Sequence, residues 1–256
     1  AKPELPVLKT GSPFSDYLGY ALLNNPEVEQ AYYEWTSQVR AITVARSLPD
    51  PRFTFQMDVQ GGFIPSIMPG LSFDVPGPGK LTAAGNVAAA SSDAKYQVFV
   101  SKALATAYKL ESACWELNFI DSKLTALKSS MALLGEMEAQ ARTLNATGSA
   151  TLQDVLRAQI EQEKLRVQIE NLVEARVPVL EKFKASLGLK PGEPTPPEPK
   201  SIPDFPDDAL MPSKILAEGL ANNPDLKGIE AEIKMANASF SLAEKANIPD
   251  FSGGGE

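Results

Sequence analysis

The sequence has no histidine and a single cysteine, Cys114, among its 256 residues. The first absence removes the commonest general base and metal ligand. The second excludes a disulfide within the chain and leaves the thiol silent about compartment. Aromatic residues are 7% of the chain, so any core is built mainly from small aliphatic side chains, which suits closely packed helices. Basic residues are outnumbered 24 to 32, and no basic stripe is present to replace counterions, so no nucleic-acid partner is expected. No apolar run reaches the roughly 18 residues of a membrane-spanning helix. Proline, though it occurs 21 times, is missing from the 99 residues between Pro78 and Pro178. Because proline costs about 3 kcal/mol in a helix interior, that gap marks a long helical region.

Within it, Leu117, Ile120, Leu124, Leu127, Met131 and Leu134 recur at steps of three and four, the seam that packs one helix along another. The stretch "LNATGSATLQDV" interrupts it. There Gly148 can take a positive φ to stop one helix, and Ser149 or Thr151 can cap the next. The spacing therefore predicts a long helix over 81–145, a tip at 146–150 and a second helix over 151–187. Leu152, Val155, Leu156, Ile160, Leu165, Ile169 and Leu172 form its expected seam, Pro178 a kink and Gly188 its stop. Residues 1–13 read as an extended lead-in and 191–211 as a proline-rich connector.

A different period separates a first helix, 14–47, from the long one. Phe53, Phe55, Met57 and Val59 alternate with Thr54, Gln56 and Asp58, and Leu71, Phe73 and Val75 alternate with Ser72 and Asp74. Period two with one apolar face predicts a β-hairpin over 51–76. A half-buried hairpin of a soluble domain and the wall of a membrane barrel both show this pattern. A helix of about 64 residues is roughly 95 Å long, which the 14–47 and 151–187 helices match when placed end to end. Matched helices with a hairpin at one end and a turn at the other describe a tube wall.

The chain also repeats itself. "NNPEVEQ" at 24 returns as "NNPDLKG" at 222, and at that offset of 198 Leu18 meets Leu216, Glu34 meets Glu232, Pro51 meets Pro249 and Phe53 meets Phe251. No gap is needed, so a second repeat opens with a helix over 212–246 and the start of a strand, and 14–190 is the first repeat.

These segments resemble the TolC-like outer-membrane efflux proteins. "ALLNNPEVEQAYYEW" and its copy "GLANNPDLKGIEAEI" are similar to that family's repeat-opening helix. "LPDPRFTF" and "VPGPGKL" are similar to its strand boundaries, and "ATGSATLQDVLRAQ" to its hairpin tip. The resemblance implies a mainly α fold: a long antiparallel helical hairpin forming a coiled-coil-like α-barrel wall, with an amphipathic β-hairpin contributing to a membrane β-barrel. It implies a homotrimeric exit duct in the outer membrane with a periplasmic helical domain. A periplasmic adaptor would dock at the tip, an inner-membrane pump would supply the energy, and outer-membrane lipid would surround the strands. Against the family pattern the second repeat is expected to be cut short, leaving its second hairpins out.

By the same resemblance, Thr147, Gly148 and Ser149, with Leu152, Asp154 and Arg157, occupy the adaptor-docking tip. The simpler expectation for this set is a helix stop at Gly148 and a favourable N-terminal charge at Asp154. Asp58 and Asp74, on the polar strand faces, would point into the barrel lumen and favour cations modestly; plain solvent exposure gives the same pattern. No catalytic, cofactor or metal site is expected. Cys114 has no basic group patterned to activate it. "GPGK" at 77–80 lacks the glycine at 74 and the hydroxyl at 81 that a phosphate loop needs. A periplasmic adaptor and a purely structural coiled coil are the alternative readings. An adaptor would flank its hairpin with glycine-rich β segments, and a coiled-coil spacer needs no amphipathic strands.

Overall fold

The computed structural model describes residues 4–60, 63–199 and 211–255, with the side chains of 58–60 and 63–67 outside that description. In chain order the elements are α1 (Phe14–Asn24), α2 (Pro26–Arg46), β1 (Arg52–Gln60), β2 (Phe63–Val75) and α3 (Lys80–Ala146). These are followed by α4 (Leu152–Ser186), α5 (Pro212–Asn222), α6 (Pro224–Glu244), a short 3-10 turn and β3 (Phe251–Gly255). The expected single helix over 14–47 is thus two helices, and so is the one over 212–246. The cause lies in the repeated Asn-Asn-Pro. Ring atoms of Pro26 and Pro224 disfavour helical geometry in the residue before them, and Asn25 (ψ 121°) and Asn223 (ψ 117°) are extended. Each proline is then suited to the first position of the next helix. Asn223 also accepts a bond from the Asp225 N–H at 2.8 Å, capping α6. Both ends of α1 and α2 recur in α5 and α6 at the same offset of 198, so the duplication holds in structure as well as in letters.

The chain divides into two compact units, and α3 runs through both. In the unit formed by 4–26 and 103–199, α3 and α4 make an antiparallel hairpin. Along α3 the buried row is Leu110, Cys114, Leu117, Ile120 and Leu124, and it continues half-buried through Leu127, Met131 and Leu134. Along α4 the facing row is Val155, Gln162, Leu165, Ile169, Leu172 and Val179. Leu152, Leu156 and Ile160, expected in that seam, are exposed and lie on another side of α4. Pro178 sits in α4 facing solvent, and the helix continues on both sides of it. Tyr17 and Ala21 of α1 close the base of the hairpin against Phe183 and Leu187. The connector is strapped across this base. Tyr17 donates to the Pro197 carbonyl at 2.6 Å, and the Arg176 guanidinium bridges Asp121 and Glu198 at 2.8 Å each. Arg176 is held by two carboxylates from separate elements, a fork geometry that lysine could not supply.

In the other unit, 27–102 and 211–255, α2 and α6 both lie on the N-terminal part of α3. Val28, Ala31, Trp35, Gln38, Ile42 and Ala45 form the covered stripe of α2. Trp35 stacks on Phe99 with centroids 6.0 Å apart, and Glu34 pairs with Lys95 at 3.0 Å. The covered stripe of α6 is Gly228, Ala231, Met235, Ala238 and Leu242, and Asp225 accepts a bond from Ser101 at 3.1 Å. Alanine and serine over 82–94 of α3 allow both helices to approach closely. Beyond the helices, β1, β2 and β3 form an antiparallel sheet in that order. Its attachment is polar: one oxygen of Asp250, just before β3, accepts from the Gly77 N–H at 2.7 Å and from the Lys80 ammonium at 2.8 Å.

Two substitutions test this packing. Gly188, at φ +74°, would place a Cβ 2.6 Å from the Asn24 carbonyl oxygen. Gly188→Ala should cost at least the ~1–3 kcal/mol of an unfavourable positive φ, read from the urea midpoint. The Lys80 ammonium and the Gly77 N–H hold the Asp250 carboxyl below its usual range. A carboxylate depressed on folding adds stability above its unfolded value of about 3.9 and loses it as pH falls through the lower folded value. The difference in midpoint between wild type and Asp250→Asn should therefore be largest at pH 6 and shrink below about pH 4. A difference independent of pH would contradict the clamp.

Candidate functional site

Among the described residues, the sheet and the helical tip are two regions exposed to contact something outside the chain. In the sheet the antiparallel register sets Phe53 opposite Leu71, Phe55 opposite Pro69, and Val75 opposite Phe251. Alternation then gathers Phe53, Phe55, Met57, Leu71, Phe73 and Val75, with Phe251, on one face. All seven are exposed, Phe53 by 72%. Seven large apolar side chains on one face form a patch far beyond the scattered apolar residues of an ordinary surface. On the other face lie Thr54, Gln56, Ser72, Asp74 and Ser252, with Met68 opposite Gln56 as an exposed apolar residue among them. Asp74 is there as the alternation predicts, and it pairs with Arg52 at 3.2 Å, a partner the alternation does not reveal. Asp58 pairs in register with Ser66, and its side chain falls outside the described residues.

The strand-to-helix turn at 77–80 has no free cradle for a phosphate. The Gly77 N–H and the Lys80 ammonium, the groups such a ligand would use, both bind Asp250.

At the tip, α3 ends in a left-handed turn. Gly148 has φ +75°, and the Ser149 N–H returns to the Leu144 carbonyl at 2.8 Å. A Cβ on Gly148 would meet nothing within 4 Å, so its backbone angle, not crowding, calls for glycine. Asn145 donates to the Ala150 carbonyl at 2.9 Å and closes the turn from inside. Asp154 accepts from both the N–H and the hydroxyl of Thr151, at 3.1 and 2.6 Å, and these bonds hold its carboxyl below the usual range. Thr147, Gly148, Ser149, Leu152, Asp154 and Arg157 are all exposed, within one turn and the start of α4. Just below, Glu138 accepts from Arg142, Gln159 and Gln162 at 2.6–2.9 Å, which lowers its pKa and ties α3 to α4 near the tip. Sequence reading missed this layer, since glutamines at seam positions look like interruptions of the apolar pattern. Cys114 is buried in the hairpin, and burial pushes its thiol up to about 12, which leaves it unreactive at neutral pH. Among the described residues no acidic or cysteine cluster is placed to hold a metal.

No protein-family model matches the sequence, and no curated protein does. Solved structures do. The outer-membrane channel OprN superposes with a TM-score of 0.70 at 15% identity, covering 99% of this chain and 62% of that one. The outer membrane protein VceC of Vibrio cholerae gives 0.69 at 15% identity, with 94% and 60% covered. The open-state MtrE outer membrane channel of Neisseria gonorrhoeae gives 0.68 at 15% identity, with 98% and 64% covered. The chain thus spans about three fifths of the length of these channels. Over that span, with its long helical hairpin, its amphipathic strands and its second repeat-opening helix pair, it has the TolC-like fold of the outer-membrane channels.

Proposed function

We propose that the protein is a wall protomer of an outer-membrane exit duct, a passive conduit in a tripartite efflux or secretion system. The observation that carries this reading is the sheet: one face apolar and exposed, the other polar but for Met68, which is the arrangement of a barrel wall between lipid and a water-filled lumen. Both helices of the long hairpin also carry a second apolar stripe outside their shared seam. On α3 it includes Leu104, Tyr108, Trp115 and Phe119, and on α4 Leu156, Ile160 and Val167, all exposed. A helix in the wall of a tube has a neighbour on each side, so side-by-side copies, three in the homotrimer of this reading, would cover those stripes.

In this function no chemistry is done on the cargo. An inner-membrane pump supplies the energy and a periplasmic adaptor joins pump to duct. The adaptor meets the exposed tip at Thr147, Gly148 and Ser149, with Leu152, Asp154 and Arg157 beside them. Asp58 and Asp74 line the lumen. Because Arg52 balances Asp74, the cation preference there is weaker than two unpaired carboxylates would give.

The sheet reading is tested by placing an NBD fluorophore on single cysteines along β1 and β2 in vesicles containing doxyl-labelled lipid. The native Cys114 stays unlabelled because it is buried. Quenching should alternate, strong at Phe55→Cys and Phe73→Cys and weak at Thr54→Cys and Ser72→Cys. Equal quenching on both faces, or none on either, would overturn the reading.

A further inference from the structure

The connector after α4 lies on the hairpin base without a core of its own. Residues 191–195 are exposed and 196–199 are half-buried. Five of these nine residues are proline and have no N–H to donate. Among the described residues, no backbone N–H of 194–199 bonds to another backbone carbonyl. Side chains hold the segment instead. The fully buried Tyr17 donates its hydroxyl to the Pro197 carbonyl at 2.6 Å, and Nη2 of Arg176 donates to both oxygens of Glu198 at 2.8 and 2.9 Å. The same guanidinium holds Asp121 of α3. Beside these contacts is a groove of about 620 Å³, whose lining includes Cys114, Leu117, Asn118, Asp121, Glu198 and Pro199. Cys114 lines this groove and is nevertheless only 3% exposed. The Tyr17 contact is not part of the repeated design, because at the offset of 198 its counterpart is Ile215, which has no hydroxyl.

We propose that residues 197–199 are a releasable strap, latched closed over Cys114 by Arg176 and Tyr17, which opens as one piece while the helices of the hairpin stay folded. Proline-rich chain is stiff, so it moves as a unit. A segment with few buried apolar contacts also opens at far lower cost than a core helix. Arg176 suits a latch because it has two carboxylate partners. When Glu198 leaves, the guanidinium keeps its fork on Asp121, so opening strands no unpaired charge. Opening frees this part of the link between α4 and α5 from the hairpin base, and it bares the one thiol of the chain. The inference does not depend on the duct reading.

Cys114 itself reports the strap. The full chain in detergent is labelled with a maleimide at about pH 8, as wild type, Arg176→Gln, Tyr17→Phe and Lys182→Gln, in several urea concentrations below the unfolding transition. Lys182→Gln removes an exposed pair with Glu116 between the same two helices and serves as the control. Labelling should be about ten-fold faster in Arg176→Gln and about three-fold faster in Tyr17→Phe, as losses of a charged and a neutral hydrogen bond. Lys182→Gln should match wild type, and all four should keep their helix signal. Removing the Arg176 charge by itself disfavours the thiolate and slows labelling, so a faster rate reports access. The rates should be flat against low urea, because a local opening exposes little surface. Labelling of Arg176→Gln at the wild-type rate would overturn the inference. So would equal acceleration in Lys182→Gln, or rates that climb with urea in step with global unfolding. If Arg176→Gln does not fold, Tyr17→Phe decides by the same criteria.

Discussion

A helix with two apolar stripes on different sides cannot bury both inside one hairpin. That constraint organises the molecule. In α3 one stripe meets α4 along Leu117, Ile120 and Leu124, while the other leaves Tyr108 73% and Phe119 64% exposed. A fully buried side chain of this size contributes about 1.5–3 kcal/mol over its exposed state, so covering even a few of them is a substantial drive toward lateral neighbours. The same reasoning applies to α6, which is covered on one side while Leu226, Ile229, Ile233 and Phe240 are exposed on another. The sheet adds a third unsatisfied surface, whose seven apolar side chains have no counterpart on the helices. The exposed helix stripes and the two faces of the sheet are thus chemically different surfaces.

Polar contacts, few and long-range in sequence, fix how these parts join. Asp250 fastens the approach to β3 onto the turn between β2 and α3, bringing the second repeat to the first. Arg176 with Asp121 and Glu198 straps the connector over the base of the hairpin. At the opposite end of the hairpin, Glu138 and its two glutamines tie the helices below the tip. These contacts favour one register: a carboxylate that accepts from three donors, as Glu138 does, loses them if the helices slide.

Much of this was legible in the letters. The proline gap, the heptad through Leu117–Leu134, the alternation around Phe55 and Phe73, and Gly148 each report a local backbone preference, and local preference is what sequence encodes directly. The repeat is legible too, and its Asn-Asn-Pro, a signature of duplication, is also a helix break. Periodicity gives the α4 seam only in part, for a physical reason. Leu152, Leu156 and Ile160 are as apolar as Val155 and Leu165, and periodicity cannot tell which of two apolar stripes faces inward. The Arg52 partner of Asp74 and the clamp at Asp250 were invisible because one depends on strand register and the other joins residues some 170 positions apart.

The measurement that most directly tests the account is the mass of the protein in detergent by native mass spectrometry, with its two-dimensional class averages from electron microscopy. The account predicts a discrete homotrimer whose averages show a closed ring of helices. Monomers alone, or open-ended rows of no fixed number, would contradict it.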